Sequence, residues 1–184
     1  MRSDAQRRRQ LILARAREVM AERGGDVALE TIAAASGVGI GTLYRNFRSR
    51  DDLVRAMVQD TVGRVEDAVR TAEERLAEDP AAAWTGLVHD LVGLDLGAWT
   101  DAVGHRAADD GDLGAVQQPA LDALDALLGQ LRSRGAVRTG FDAAELVVAV
   151  ATITRPQPAA ISAAAPDVGR HLVEAYLAWS MSQH

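Results

Sequence analysis

The sequence predicts an all-α protein, and three observations carry that expectation. Alanine and leucine, the strongest helix formers, are abundant in a chain of 184 residues that is 48% hydrophobic and only 4% aromatic. Apolar residues recur at intervals of three and four along most of its length, and no segment shows the strict apolar–polar alternation of a half-buried strand. Glycine, proline and aspartate fall between the periodic stretches, where helices stop and start.

Taken in order, a first helix is expected from about Asp4 to Arg23, with Ile12, Ala16, Val19 and Met20 on one face and Gly24-Gly25 ending it. Leu29 to Ser36 reads as a second helix stopped by Gly37, and Ile40 to Phe47 as a third opened by Gly39. Ser49 looks like the cap of a long fourth helix reaching about Ala77, since Asp51 and Asp52 in its first turn suit the helix dipole. Asp79-Pro80 marks a fresh start, an N-cap followed by proline at the first helical position, for a fifth helix through about Trp99. Asp101 to Gln118 is rich in glycine and aspartate and predicts a short helix and loops. Pro119 then opens a helix to about Arg134, Asp142 caps another through about Thr154, and the last runs from about Asp167 to Met181.

Net charge is −6, but it is divided unevenly. Through Arg50 there are ten arginines and five acids, a local charge of +5; from Asp51 onward ten arginines face 21 acids, a local charge of −11. A basic head on an acidic body concentrates phosphate attraction at one end. There is no cysteine, hence no disulfide or thiolate metal site. No apolar run approaches the roughly 20 residues of a membrane span, and no signal peptide is evident, so the expectation is a cytoplasmic location and no membrane partner. The histidines His89, His105, His171 and His184 show no metal spacing, and neither a nucleophile motif nor a phosphate loop occurs. No enzymatic activity and no cofactor are expected.

The most informative stretch is Ile32 to Phe47. Two helices that cross closely need a small residue at the crossing, a glycine in the turn and an apolar plug on the second helix; Ala33, Gly37 and Leu43 meet that requirement. Ile32, Val38 and Phe47 complete a small core, leaving Thr42, Tyr44, Arg45 and Asn46 on the outward arc, able to meet base edges and phosphates. The pattern is that of a helix-turn-helix, and its alternative is a hairpin that only packs. Arg7-Arg8-Arg9 reads either as a solvated helix start or, as we favour, as an arm for phosphate or the minor groove.

Ile32 through Leu53, with Gly-Thr-Leu-Tyr-Arg-Asn-Phe at its centre and Arg-Ser-Arg-Asp-Asp-Leu after it, resembles the N-terminal domain of TetR-family transcriptional regulators, as does Ala21-Glu22-Arg23-Gly24. The close match covers roughly Arg8 to Met57. The wording Gly-Val-Gly-Ile-Gly-Thr-Leu-Tyr-Arg resembles a subgroup with an SbtR-like C-terminal domain, which the C-terminal half fits only loosely. The resemblance implies a helix-turn-helix domain over 1–50, joined by the long fourth helix to a helical effector-binding and dimerisation domain over 51–184. It also implies a homodimer that binds a palindromic double-stranded DNA operator, most often as a repressor, and is released by a small molecule. By the same resemblance Ile40, Gly41 and Thr42 match positions that approach bases, Tyr44 one that meets phosphate, and Arg45 one that reads a base or phosphate. Asn46 stands where the family usually has histidine, while Arg48 and Arg50 flank the fourth helix, where phosphate contact is expected of Arg50; Arg7 and Arg8 join the set as the arm. For Ile40 burial and a thymine-methyl contact stand as equal alternatives. Ala28 departs from the usual serine or threonine cap, and Glu30 would repel phosphate.

A palindrome read symmetrically requires two copies. Leu146, Val147, Val150 and Ile153 on one late helix, with Leu172, Tyr176, Leu177 and Trp179 on the last, are the expected dimer interface as a four-helix bundle, against a purely internal core. Trp84, His89, Trp99 and His105 lie where the family houses its effector and are the candidate contacts, each against an ordinary core or surface role, and Gly86, Gly93, Gly97 and Gly104 would loosen that region as a movable pocket wall or reflect codon drift alone. The alternative function is a helical ligand-binding or protein-interaction module with a degenerate helix-turn-helix, for which Ala28, Glu30 and Asn46 leave room.

Overall fold

The computed structural model describes residues 2–98 and 111–182. Among them the chain is helical with no strand: α1 (Arg2–Arg23), α2 (Leu29–Ala35), α3 (Ile40–Asn46), α4 (Arg50–Leu76), α5 (Pro80–Val92), α6 (Gly111–Ser133), α7 (Ala143–Ile153), α8 (Ala159–Ala164) and α9 (Val168–Met181). None of these helices is long and apolar enough to cross a membrane. The chain divides into two compact units, with one division inside α4 between Asp60 and Thr61 and another inside α6 between Val116 and Gln117.

The first unit is built on the expected apolar faces. Ile12, Leu13, Ala16, Val19 and Met20 of α1 are buried, as are Leu29, Ile32 and Ala33 of α2, Leu43 of α3, Phe47, and Leu53, Val54, Met57 and Val58 of α4. α1 packs on α2, and α2 on α3. The turn between α2 and α3 closes by a double bond pattern: Val38 N–H donates to Ala33 O and Gly37 N–H to Ala34 O, each at 3.0 Å. That closure requires a left-handed residue, and Gly37 supplies it with φ +65. α4 starts as its sequence indicates, with Asp52 N–H donating to Ser49 Oγ at 3.0 Å and Arg48 N–H returning to the Asp52 carboxylate at 3.1 Å. Arg17 of α1 and Asp60 of α4 form a largely buried ion pair at 2.6 Å, and Arg17 also donates to Met57 O at 3.1 Å.

The second unit has its core between α4, α5, α6, α7 and α9, around Trp84, Leu87, Leu91, Leu124, Leu127, Leu128, Leu131 and Leu146. Asp79 caps α5 through Ala82 N–H, and Asp142 caps α7 through Glu145 N–H, both at 2.9 Å.

Two boundaries and one helix differ from expectation. α5 stops at Val92 rather than near Trp99, because Gly93 caps it and Asp95 turns left-handed at φ 50. α6 begins at Gly111, not at Pro119, and over 111–118 it is one continuous helix where a short helix and loops were expected. Proline forfeits one intrahelical donor, and on this exposed position the rest of the helix tolerates it. α8, which buries no residue, was not expected from a segment bracketed by Pro156, Pro158 and Pro166. Gly97, expected to loosen its surroundings, does the opposite. It is buried, its N–H donates to Thr154 Oγ1 at 2.9 Å, and a Cβ there would run into the backbone of Ala151 and Arg155.

Candidate nucleic-acid interface

α3 is seven residues long, too short to persist without tertiary support. Its inward side is fixed by Leu43 and the following Phe47, both essentially without solvent exposure. Tyr44 and Arg45 are thereby turned outward, with Tyr44 46% exposed, while Thr42 and Asn46 sit at the margin. Gly41 is exposed and open, and Ile40 is half-buried, between the burial its spacing suggests and the base contact the resemblance implies.

The outward side chains are held along α3 itself. Arg45 donates from Nε to Gly41 O at 3.2 Å and from Nη2 to Thr42 Oγ1 at 2.9 Å, which aligns the guanidinium with the helix and keeps donors free. Asn46 Nδ2 donates back to Thr42 O at 2.8 Å. Arg45, Arg48, Arg9 and Arg55 line a recess of about 370 Å³ beside the end of α3, with Asp52 the acid among its lining residues. The exposed Arg45 and Arg48 guanidinium groups at this recess suit phosphate or base oxygens, which accept paired N–H donors, while that of Arg9 is turned to Asn46 O and the Phe47 ring.

The other basic residues divide by environment. Arg7, Arg8 and Arg48 are exposed. Arg50, expected at a phosphate, turns inward instead: Nη1 donates to Gly25 O at 2.6 Å and Nη2 to Val27 O, so it fastens the α1–α2 connection to the start of α4. Arg9 was not distinguished from its neighbours in sequence, yet it is half-buried, donates from Nη1 to Asn46 O at 2.9 Å, and lies 4.3 Å from the centre of the Phe47 ring. A signal was available, since Arg9 stands three and four residues before Ile12 and Leu13 and so extends the buried stripe of α1. Ala28 makes no side-chain cap for α2, in keeping with its sequence.

Of the candidate effector contacts, Trp84 and His89 are described, and they have different surroundings. Trp84 is fully buried, and its indole N–H donates to the buried Ser180 hydroxyl at 2.9 Å; a side chain packed on all sides and satisfied in this way is a core residue. His89 is exposed and lines an open groove of about 460 Å³ with Arg64, Asp67, Thr71 and Asp90. Trp99, His105 and Gly104 lie outside the described residues.

The candidate interface residues separate as well. Leu146 and Val150 point into their own protomer's core at 0% exposure, because that face of α7 packs on α5. Val147, Ile153, Tyr176 and Leu177 are half-buried, whereas Leu172 and Trp179 of α9 are 47% and 42% exposed. Among the described residues Val148 is the most exposed large apolar one, at 63%. Trp179 and Tyr176 belong to an aromatic cluster with Phe141 and Trp84, and Arg138 lies 4.8 Å over the Trp179 ring. Burial, assisted by the charge of Glu145, pushes the Tyr176 hydroxyl up to about 12.

Known proteins resemble the chain both at its N-terminal helices and over most of its length. The family model for bacterial regulatory proteins of the tetR family matches residues 12–57, the span from the first buried residue of α1 to Met57 of α4. The HTH-type transcriptional regulator SAR0097 of Staphylococcus aureus (strain MRSA252) is 41% identical over 64 residues, and the match spans 33% of this chain and 33% of that regulator. The solved structure of the TetR transcriptional regulator SCO0520 from Streptomyces coelicolor is 31% identical, with 94% of this chain and 97% of that chain covered at a TM-score of 0.62. That of the TetR-like regulator LfrR from Mycobacterium smegmatis, in complex with proflavine, is 26% identical, covering 94% and 93% at a TM-score of 0.69.

Proposed function

This chain belongs to the TetR family of bacterial transcriptional regulators, and from that membership we propose that it is a ligand-responsive repressor, binding a palindromic operator as a homodimer and released by a small molecule. The observation that carries the reading is α3: its apolar side is closed by Leu43 and Phe47, and its other side offers Tyr44 and Arg45 within a head of local charge +5. Residues 1–50 are the DNA-reading part and 51–184 the effector-binding and dimerising part. Thr42 and Arg45 meet base edges, and Tyr44, Arg48, Arg7 and Arg8 meet the backbone. The exposed apolar residues Val148, Leu172 and Trp179 are the face on which a second copy packs. The complex of LfrR with proflavine supports a small organic effector for this chain.

The test is a footprint of the purified protein on the intergenic DNA flanking its own gene, followed by selection from a random duplex library. A protected, two-fold symmetric site whose affinity falls steeply with added salt supports the reading, because phosphate contacts release counterions. Failure to protect or enrich any sequence would favour a helical ligand-binding module whose helix-turn-helix no longer reads DNA.

A further inference from the structure

We propose that Arg9 of α1 is a positioning residue for sequence reading, setting the pose of α3 without itself contacting DNA; this rests on the operator-binding role proposed above. The last carbonyls of any helix lack intrahelical donors and carry the negative end of its dipole. In α3 one of these, Asn46 O, receives Arg9 Nη1 at 2.9 Å, and the same guanidinium covers the buried Phe47 ring at 4.3 Å. Asn46 and Phe47 are consecutive, so one planar group holds both the end of α3 and the residue that leaves it. A cation over an aromatic face adds to a charge-assisted hydrogen bond at the same place. α3 has no side-chain cap at its start, where Gly39 makes no such bond, so its start lacks a matching side-chain anchor.

The arrangement assigns different work to neighbouring arginines. Arg7 and Arg8 are exposed and available to phosphate, while the Arg9 guanidinium is turned to protein. Loss of Arg9 therefore lets α3 tilt or fray at its C-terminal end, where Arg45 and Asn46 lie, without changing the count of phosphates neutralised. Lysine would keep the charge but not the planar fork that serves carbonyl and ring together.

The experiment uses the full chain and an operator enriched by the wild-type protein from a random duplex library. Binding of Arg9→Ala, Arg9→Lys and Arg8→Ala is measured on that operator and on a scrambled duplex of equal length across a salt series. We expect both Arg9 variants to lose about ten-fold or more on the operator, little on the scrambled duplex, and to keep the wild-type salt slope. Arg8→Ala should weaken both duplexes alike and reduce the slope by about one. Global destabilisation would lower both affinities together, so the operator-to-scrambled ratio separates positioning from unfolding, and Arg9→Lys carries the test should Arg9→Ala fold poorly. An Arg9→Lys protein that binds like wild type, or an Arg9→Ala loss shared equally by both duplexes with a smaller slope, overturns the proposal. A wild-type protein that enriches no sequence overturns the operator reading itself, a different result from selective failure of the variants.

Discussion

Leu43 and Arg45 stand two residues apart on α3 and answer to different physics. Leu43 has no exposure and shares a core with Ile32 and Phe47, whereas Arg45, among the described residues, is bonded to Gly41 and Thr42 of its own helix. Replacing Arg45 by alanine is therefore expected to leave the melting temperature near wild type while weakening operator binding by about 1–3 kcal/mol and relaxing preference at one base pair per half-site. Competition binding against single-base operator variants checks this, and unchanged preference would remove Arg45 from the reading face. Tyr176 gives a residue-scale prediction in alkali. Its hydroxyl ionises near 12 in the folded chain against about 10 when unfolded, so between those values the folded state keeps a proton that the unfolded state has released. Its contribution to stability is complete below pH 10 and declines as pH rises toward 12. Denaturant midpoints across that window should fall less steeply in Tyr176→Phe than in wild type.

At the scale of elements, three helix starts could be read from side chains that cap locally. Ser49, Asp79 and Asp142 each accept the N–H three residues on, a relation that involves only neighbours in the chain. Ala28 occupies the same station for α2 with extended backbone but nothing to offer. Ala28→Ser should add about 1 kcal/mol to stability, seen as a higher denaturant midpoint with unchanged slope; no gain would mean that the α2 donors already have partners in water. What escaped the sequence was set by distant contacts. Gly97 reads alone as a loosening residue, but the backbone of Ala151 and Arg155 lies against it. Trp84 reads as a possible ligand contact until Ser180, 96 residues away, satisfies its indole. Arg50 reads as a phosphate contact until the carbonyls of Gly25 and Val27 take its donors. Leu146 and Leu172 look alike in hydropathy, and only the packing of α7 on α5 sends the first inward. The helix-turn-helix was legible because its requirements of small residue, turn glycine and apolar plug all fall within Ile32 to Phe47, whereas the identity of an effector pocket depends on several helices at once.

For the whole molecule, the charge division and the exposed apolar residues make one joint prediction. If Val148, Leu172 and Trp179 meet a second copy, Leu172→Asp should yield a monomer by analytical ultracentrifugation. Operator affinity should fall toward the scrambled-duplex level, because each half-site then binds without its neighbour. A Leu172→Asp protein that remains dimeric would move the interface elsewhere. The seven-residue α3 has a further consequence for how such a protein changes over generations. The outward side chains Thr42, Tyr44 and Arg45 are tied only to α3 or exposed, and the residues that secure the fold, Leu43, Phe47 and Arg9, lie on other faces or other helices. Mutations on the outward arc can therefore retune which sequence is preferred without endangering folding. Duplicated copies of such a gene are free to diverge toward new targets by a few substitutions, while the scaffold beneath them drifts slowly.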